Sequence, residues 1–323
     1  MTVTLTDVAR HAGVSLATAS RAFGEPDRLA ATTLEKVHAA ASELGYQPAP
    51  TAPPEEKTIA VVVPDIASPV YAQLLKGIHS QAWHGRHRIV LFDTDEDLGR
   101  EREQIARATA FDGMLLCSPR LPPDDVRRLT GETPFVVLNR IIDDARCVVM
   151  DTERGPRQAV EHLVALGHRH IAYAAGPEYS WADVRRGDAV ARACAEFEVL
   201  FTRLTHQAAS IQGGRAAAAT VIASGASAVI AYNDLIALGI EAGIEDLGLR
   251  CPEDLSIVGN DDIEIASARR PGLTTVRLAI NRSGSIGVET LLKAIDGDRT
   301  IDVVELPSQL IVRASTATPK PRR

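Results

Sequence analysis

From Thr58 onward the chain alternates short β-branched runs with longer stretches of helical periodicity. "TIAVVVPD" leads into "SPVYAQLLKGIHSQAWHG"; then come "RIVLFDTD", "LGREREQIARATAF", "DGMLLCSP", a helix near 123–130 and "PFVVLNR". The pattern restarts with "RGPRQAVEHLVALGH" and "HIAYAAGP". It continues through the helical "ADVRRGDAVARACAEF" and "GGRAAAATVIASG" to "AVIAYND", "LIALGIEAGIEDLG" and "LSIVGNDD". Strands separated by helices at this spacing specify a parallel, doubly wound sheet, because parallel neighbours need a crossover long enough for a helix. Two such arrays in succession predict two α/β lobes with a cleft between them, and such sheets bind ligands beyond the carboxyl ends of their strands.

Polar residues gather at those ends. Ser68 and Tyr71 follow the first run, Asp93 and Asp95 the second, and Asn139 and Arg140 end "PFVVLNR". Trp181 and Arg186 follow "HIAYAAGP", Asn233 and Asp234 end "AVIAYND", and Asp261 and Asp262 end "LSIVGNDD". Carboxylates and amides exchange hydrogen bonds with vicinal hydroxyls, Arg donates a planar fork, and an aromatic face covers a ring. Any one of these residues is equally well read as a helix cap or a surface charge. Their recurrence at strand end after strand end is what points to a polyhydroxyl ligand.

The first 46 residues obey a different rule. Leu5, Val8, Ala9 and Ala12 recur at helical spacing behind a Thr4-x-x-Asp7 cap, and Gly13 ends that helix. Ser15 caps a second helix, "SLATASRAF". It turns Ala19, Ala22 and Phe23 inward and leaves Leu16, Ala17, Ser20 and Arg21 outward. A third helix over 32–44 carries Leu34, Val37, Ala41 and Leu44 on one face. Two short helices joined by a tight glycine turn make a helix-turn-helix, whose second helix enters the major groove. Arg21 has the reach to pair with guanine, and Ser15, Thr18 and Ser20 suit phosphate oxygens.

The exact residues "TLTDVARHAGVSLATASRAF" and "TTLEKVHAAASELGYQP" resemble the headpiece of LacI/GalR-family transcriptional repressors. The resemblance implies phosphate contacts at Thr4, Ser15, Thr18, Ser20 and Thr33, and base-reading positions at Leu16, Ala17 and Arg21. Leu16 and Ala17 are apolar, suited only to a thymine methyl, so Arg21 carries most of the direct readout. Ala30 stands where the family usually has a capping Ser, with Thr32 as a substitute. Residues 58 to about 314 resemble the effector-binding core of the same family, itself similar to periplasmic sugar-binding proteins. The strongest matches are "SAVIAYNDLIALG", "LGLRCPEDLSIVGNDD" and "PGLTTVRL". The family's effector contacts fall on Arg186, Asn233 and Asp261, and on Ser68, Tyr71 and Arg140. Ala209 stands where several members carry a stacking aromatic, and Trp181 is expected to supply that ring instead.

The implied architecture has three parts. Residues 1–46 form an all-α helix-turn-helix headpiece. Residues 47–57 form a proline-rich linker. Residues 58–323 form a periplasmic-binding-protein-like core of two doubly wound lobes, with chain crossovers near 155, 281 and 307. The implied function is a cytoplasmic, homodimeric repressor of operator DNA, controlled by a small sugar or related polyol, with a nucleoside as the alternative ligand. Four prolines between Pro48 and Pro54 stand where the family usually forms a short helix whose leucine wedges into the minor groove. A semi-rigid polyproline-type spacer without a wedge is expected instead.

Charge and motifs bound the alternatives. The net charge is −7, and residues 1–50 hold four basic against five acidic residues. This argues against indiscriminate coating of nucleic acid, and the headpiece alone is expected to bind DNA weakly. A sensor that has lost strong DNA binding fits that charge as well. A transporter's solute-binding protein would need an export signal, and the basic-then-apolar pattern of one is absent from "MTVTLTDVARHAG". No G-x-S-x-G elbow or G-x-x-x-x-G-K-[ST] loop occurs, so no catalytic residue is assigned. The pairs His84/His87 and His168/His170 lack further ligands at familiar spacing; no metal or cofactor is expected, and His168 reads as a helix cap. Cys117, Cys147, Cys194 and Cys251 are far apart and read as buried thiols of a reducing compartment. No leucine heptad follows the core, so a coiled-coil tetramer is not expected.

Overall fold

The computed structural model describes residues 3–24, 28–46 and 55–320. The chain forms two compact units, Met1–Glu56 and Lys57–Arg323. The prolines of the joint lie outside the described residues, and with them the expected spacer and missing wedge.

The first unit holds α1 (Leu5–Ala12), α2 (Leu16–Gly24) and α3 (Ala31–Leu44). Thr4 and Asp7 form a reciprocal capping box, and Gly13 closes α1 at φ 67°, which a residue without Cβ adopts at no cost. Val8, Ala9, Ala19, Ala22, Val37, Ala40 and Ala41 are buried together. Most are alanines, so the helices approach closely, and Phe23 fills the remaining gap between His38 and Tyr46. Ala30 caps α3 without a side-chain hydrogen bond. Thr32 does not substitute, because it lies inside the first turn of α3 rather than at its cap.

The second unit contains two six-stranded sheets. The first comprises β1 (Thr58–Val63), β2 (Arg88–Asp93), β3 (Gly113–Cys117), β4 (Phe135–Leu138), β5 (Arg146–Met150) and β11 (Val303–Leu306), in the order β11-β5-β4-β3-β1-β2. All its pairings are parallel. The second comprises β6 (His170–Ala174), β7 (Leu200–Arg203), β8 (Ala228–Ala231), β9 (Ser256–Asp261), β10 (Thr274–Leu278) and β12 (Ser308–Ile311), in the order β12-β10-β9-β8-β6-β7. Only β12 runs antiparallel, against β10. Helices α4 (Pro69–His84), α5 (Leu98–Ala108), α6 (Pro123–Thr130) and α12 (Ile280–Ile295) accompany the first sheet. Helices α7 (Arg154–Ala165), α8 (Trp181–Glu196), α9 (Ile211–Ala223) and α10 (Asp234–Asp246) accompany the second, together with the short α11 (Glu264–Ala268).

The two arrays are not simply successive. The chain leaves the first lobe between Met150 and Arg154, returns to it at Ala279 after β10, and leaves again at Pro307. The reason is packing. A Cβ on Gly77 of α4 would strike the Asn281 carbonyl of α12, and one on Gly284 of α12 would strike the Leu74 carbonyl. The two backbones therefore touch, and this contact seats α12 on the first lobe. Helices α9 and α10 meet in the same way, where Gly214 faces the Ile236 carbonyl and Gly239 the Ile211 carbonyl. Strands β7 and β10–β12, at four or five residues each, lack the clear apolar run that marks the equally short β3, β4, β6 and β8, and they and β5 are not read from sequence.

His168 is not a helix cap. It is buried, with Nδ1 2.8 Å from Ser227 Oγ and Nε2 3.1 Å from Ser256 Oγ and 3.0 Å from the Ala317 carbonyl. His162 joins Thr316 at 2.9 Å. Two histidines thus fasten the segment that comes after β12. Burial pushes both imidazoles below their ordinary value.

Gly77→Ala and Gly239→Ala are each expected to destabilise the core by about 1–3 kcal/mol or more, since overpacking costs that much even where neighbours can shift. Urea unfolding monitored by far-UV circular dichroism measures it. A second expectation concerns pH. A lowered histidine pKa means that the folded state holds the neutral ring, so its stabilisation is complete above 6.5 and is lost as pH falls through the lowered value. The gap in thermal midpoint between the wild type and His168→Gln should therefore narrow as pH falls from about 7.5 to about 5.

Candidate functional site

In a parallel sheet every strand points its carboxyl end the same way, and the two sheets face each other across a cleft. Each strand from β1 to β10 contributes there. Asp65, Ser68 and Tyr71 come after β1, Glu96 after β2, Arg120 after β3 and Asn139 after β4, and Met150 ends β5. From the second lobe come Arg186 after β6, Ala209 after β7, Tyr232 and Asn233 after β8, Asp261 at the end of β9, and Leu278 at the end of β10. About 30 Å³ remains between them, room for one or two waters, so a ring-sized ligand requires the lobes to part.

The turns that deliver these side chains are strained. Glu96 (φ 55°), Ser118 (φ 50°), Asn139 (φ 61°), Asp261 (φ 121°) and Asp262 (φ 56°) all occupy the left-handed region. Such conformations cost of order 1–3 kcal/mol each and persist only where the surroundings hold them.

A buried arginine organises the second lobe's side. Arg186 donates from Nη1 to the Tyr232 carbonyl (2.9 Å), lies over the Tyr232 ring (5.1 Å to its centroid) and faces Asp261 at 3.8 Å. The Tyr232 ring is fixed by Ser180 (3.1 Å from its hydroxyl) and by Gly176 packed on its face. Burial pushes the Asp261 carboxyl up to about 7 against the opposing pull of Arg186. Behind it, Asp234 accepts from Thr275 Oγ1 (2.5 Å) and the Ile263 amide (2.9 Å), and burial pushes it up to about 6. Asn233 caps α10 through its Oδ1 and lines the cleft at the same time.

The first lobe's side is built around Arg120, which meets Glu96 through two parallel bonds of 2.8 Å each. Its loop is held by Glu101, whose carboxylate accepts from the backbone amides of Arg120 and Leu121. Asn139 donates to Ser118 Oγ (3.0 Å), while its Oδ1 is buried without a partner among the described residues. Burial holds the Tyr71 phenol far above its usual range.

Ser68, Tyr71, Arg186, Asn233 and Asp261 therefore converge on one cavity. Arg140 and Trp181 do not. The Arg140 guanidinium donates to the Pro119 and Leu121 carbonyls (2.7 and 2.8 Å) and braces the Arg120 loop from behind. Trp181 lines a separate open groove of about 760 Å³ beside the crossover at 151–154, under the Arg185 guanidinium. That groove is larger, but three of the four arginines that line it, Arg157, Arg185 and Arg192, are already paired with Glu196, Glu161 and Glu153. The convergence of strand ends makes the smaller cavity the candidate ligand site. Asp93 and Asp95 give way to Glu96. Sequence reasoning misses Arg120, Tyr232 and Glu96; for Tyr232 the available signal is its place beside the Asn and Asp of "YND".

In the headpiece, Leu16, Ala17, Ser20 and Arg21 are exposed on one face of α2. Ser15 Oγ accepts from the Thr18 amide (3.1 Å) and bonds its hydroxyl (2.8 Å). Thr4 is occupied by its capping box with Asp7, and Thr33 is half-buried in the first turn of α3.

Comparison with known proteins gives a consistent picture. Residues 4–49 match the model of bacterial regulatory proteins of the lacI family, and residues 160–316 match a periplasmic binding protein-like domain. The ribose operon repressor of Halalkalibacterium halodurans is 30% identical over 323 residues, covering 97% of each chain. A solved structure of the Lac repressor dimer bound to operator and an anti-inducer superposes with a TM-score of 0.73 at 29% identity, covering 98% of this chain and 100% of that one. A LacI-family regulator from Enterococcus faecium with bound ribose gives a TM-score of 0.73 at 30% identity, covering 82% of this chain and 100% of that one.

Proposed function

Because the chain belongs to the LacI family of bacterial transcriptional regulators, we propose that it is a homodimeric repressor whose grip on operator DNA is set by a small sugar or polyol in the interlobe cleft. The observation that carries this reading is the convergence of Ser68, Tyr71, Arg186, Asn233 and Asp261, from both lobes, on one cavity. Asp261 and Asn233 accept hydroxyl protons, Arg186 donates to ring or hydroxyl oxygens, and Tyr232 supplies the aromatic wall. A ligand that touches both lobes binds one closure state better than the other, and that difference is all a ligand can use to shift the equilibrium. The ribose-bound relative supports a sugar as the ligand class.

At the DNA, Arg21 reads a base edge, Leu16 and Ala17 contact thymine methyls or groove wall, and Thr4, Ser15, Thr18, Ser20 and Thr33 meet the phosphates. Each protomer's α2 occupies one half-site of a near-palindromic operator. The protein carries no catalytic role in this reading. Among the described residues no helix is long and apolar enough to cross a membrane.

Two measurements test the reading. In gel shifts on the promoter region of its own gene, Arg21→Ala should weaken specific binding by about 1–3 kcal/mol, and the log–log salt slope should fall well short of about −10. An unchanged affinity, or a slope as steep as that, contradicts the assignment of the DNA-reading face. In a thermal-shift panel of sugars and nucleosides, a ligand that raises the midpoint should also change operator affinity, and Asp261→Ala should abolish both effects. A hit that stabilises the core but leaves DNA binding untouched removes the regulatory link.

A further inference from the structure

The charges in the cleft are already matched before any ligand arrives. Each lobe brings in one guanidinium, and each has a carboxylate of its own: Arg120 with Glu96 through two 2.8 Å bonds, and Arg186 with Asp261 at 3.8 Å. Asp65 adds a third carboxylate to the cavity wall, engaged among the described residues in capping the Ala67 amide (2.8 Å). Two guanidiniums thus face three carboxyl groups, of which Asp65 and Glu96 suffice to balance them even where burial keeps Asp261 partly protonated. The one buried polar atom there that lacks a partner among the described residues is Asn139 Oδ1, an acceptor.

This balance of charge governs ligand choice. A phosphate or carboxylate offers acceptors only, and would be desolvated against Asp65, Glu96 and Asp261 with no free cation to receive it. Burying a charge without a partner costs far more than burying a hydroxyl that finds one. A hydroxyl can donate to Asn139 Oδ1 or a carboxylate while accepting from the guanidiniums, so it suits both kinds of wall at once.

We propose that the cleft selects an uncharged polyol and that the Glu96–Arg120 pair is the element that excludes its phosphorylated or carboxylated forms. The inference rests on the reading of this cleft as a sugar site. Glu96 is a specificity-determining residue because it occupies the fork that an anion would otherwise use. The Glu101 carboxylate fixes that fork in place through the backbone of Arg120 and Leu121. Glu96 sits on the loop between β2 and α5, about a third exposed, where a change to Gln keeps size and shape.

Matched pairs of probes test the proposal on the full-length chain: ribose against ribose 5-phosphate, glucose against glucose 6-phosphate and gluconate, uridine against its 5′-monophosphate. Thermal shift finds the binding pair, and calorimetry gives Kd for the wild type and Glu96→Gln, with circular dichroism confirming the variant's fold. The neutral member should bind the wild type, and the charged member should not bind at the same concentration. In Glu96→Gln the ratio of charged to neutral affinity should rise at least about tenfold, the scale of one charge-assisted hydrogen bond. Charged probes that bind the wild type as well as their neutral counterparts overturn the proposal and leave the sugar reading intact. So does a ratio that Glu96→Gln fails to move. If neither member of any pair binds the wild type, the sugar reading itself falls and this proposal with it.

Discussion

The contact between the backbones of α4 and α12 fixes the connectivity of the core. Gly77 and Gly284 let two helices more than 200 residues apart in sequence meet without side chains between them. That close seat commits α12, and β11 after it, to the first lobe, although β6–β10 have just built the second. The chain must therefore cross between the lobes three times, and neither lobe is complete without a distant segment. Three parallel connections restrict how the lobes move relative to each other: hinge-like opening survives while independent tumbling does not. A cleft that must open for a ligand and close over it needs that restriction.

The strand direction set by those crossovers then determines where polarity can go. Eleven strands run parallel and bury mostly aliphatic side chains, so the buried carboxylates and guanidiniums gather beyond the carboxyl ends. There the protein accepts left-handed backbone at six non-glycine residues, Asp95, Glu96, Ser118, Asn139, Asp261 and Asp262, and buries Arg186, Asp234 and Asp261. Burial raises both carboxyls, so the stability they contribute is complete below their ordinary 3.8 and is lost as pH rises through about 6 to 7. The histidine clasp on the segment after β12 has the opposite slope. The cleft is thus the place where the core gives up stability, and the sheets and glycine-packed helix pairs supply the excess that tolerates it.

Much of this was legible in the sequence because it was written as pattern. The capping box at Thr4 and Asp7, the turn glycine and the alternating runs that become β1, β3, β8 and β9 are local signals, and each forms the expected element. Ser68, Tyr71, Arg186, Asn233 and Asp261 are reached by the rule that ligands sit beyond strand ends. The failures have a common cause. Arg140 and Trp181 also lie beyond strand ends, but successive residues in a turn point in different directions, and position in sequence does not say which one faces the cleft. Arg140 turns back to the carbonyls of its neighbouring loop. Arg120 reaches inward instead, because Glu101, on another element, holds its backbone. Asp93 and Asp95 lost their place to Glu96 through left-handed φ values that no composition rule reveals. His168 lay in an obvious turn, yet its partners Ser227, Ser256 and Ala317 are 59 to 149 residues away.

The headpiece places a demand on the core. Four basic residues against five acidic in residues 1–50, with apolar side chains at two of the three positions proposed to read bases, leave little electrostatic affinity and little direct readout for one protomer. A weak single module gains most from being doubled, because the second half-site then binds at high effective concentration, provided that the two modules are held at the operator's spacing. Affinity then depends steeply on geometry rather than on charge. A small change in lobe closure has little effect on a protein that adheres to any phosphate backbone, but a large one on a protein that binds only when two modest contacts coincide. On the proposed function, the acidic headpiece, which taken alone argues against DNA binding, is what would let a change in the cleft weigh on operator affinity.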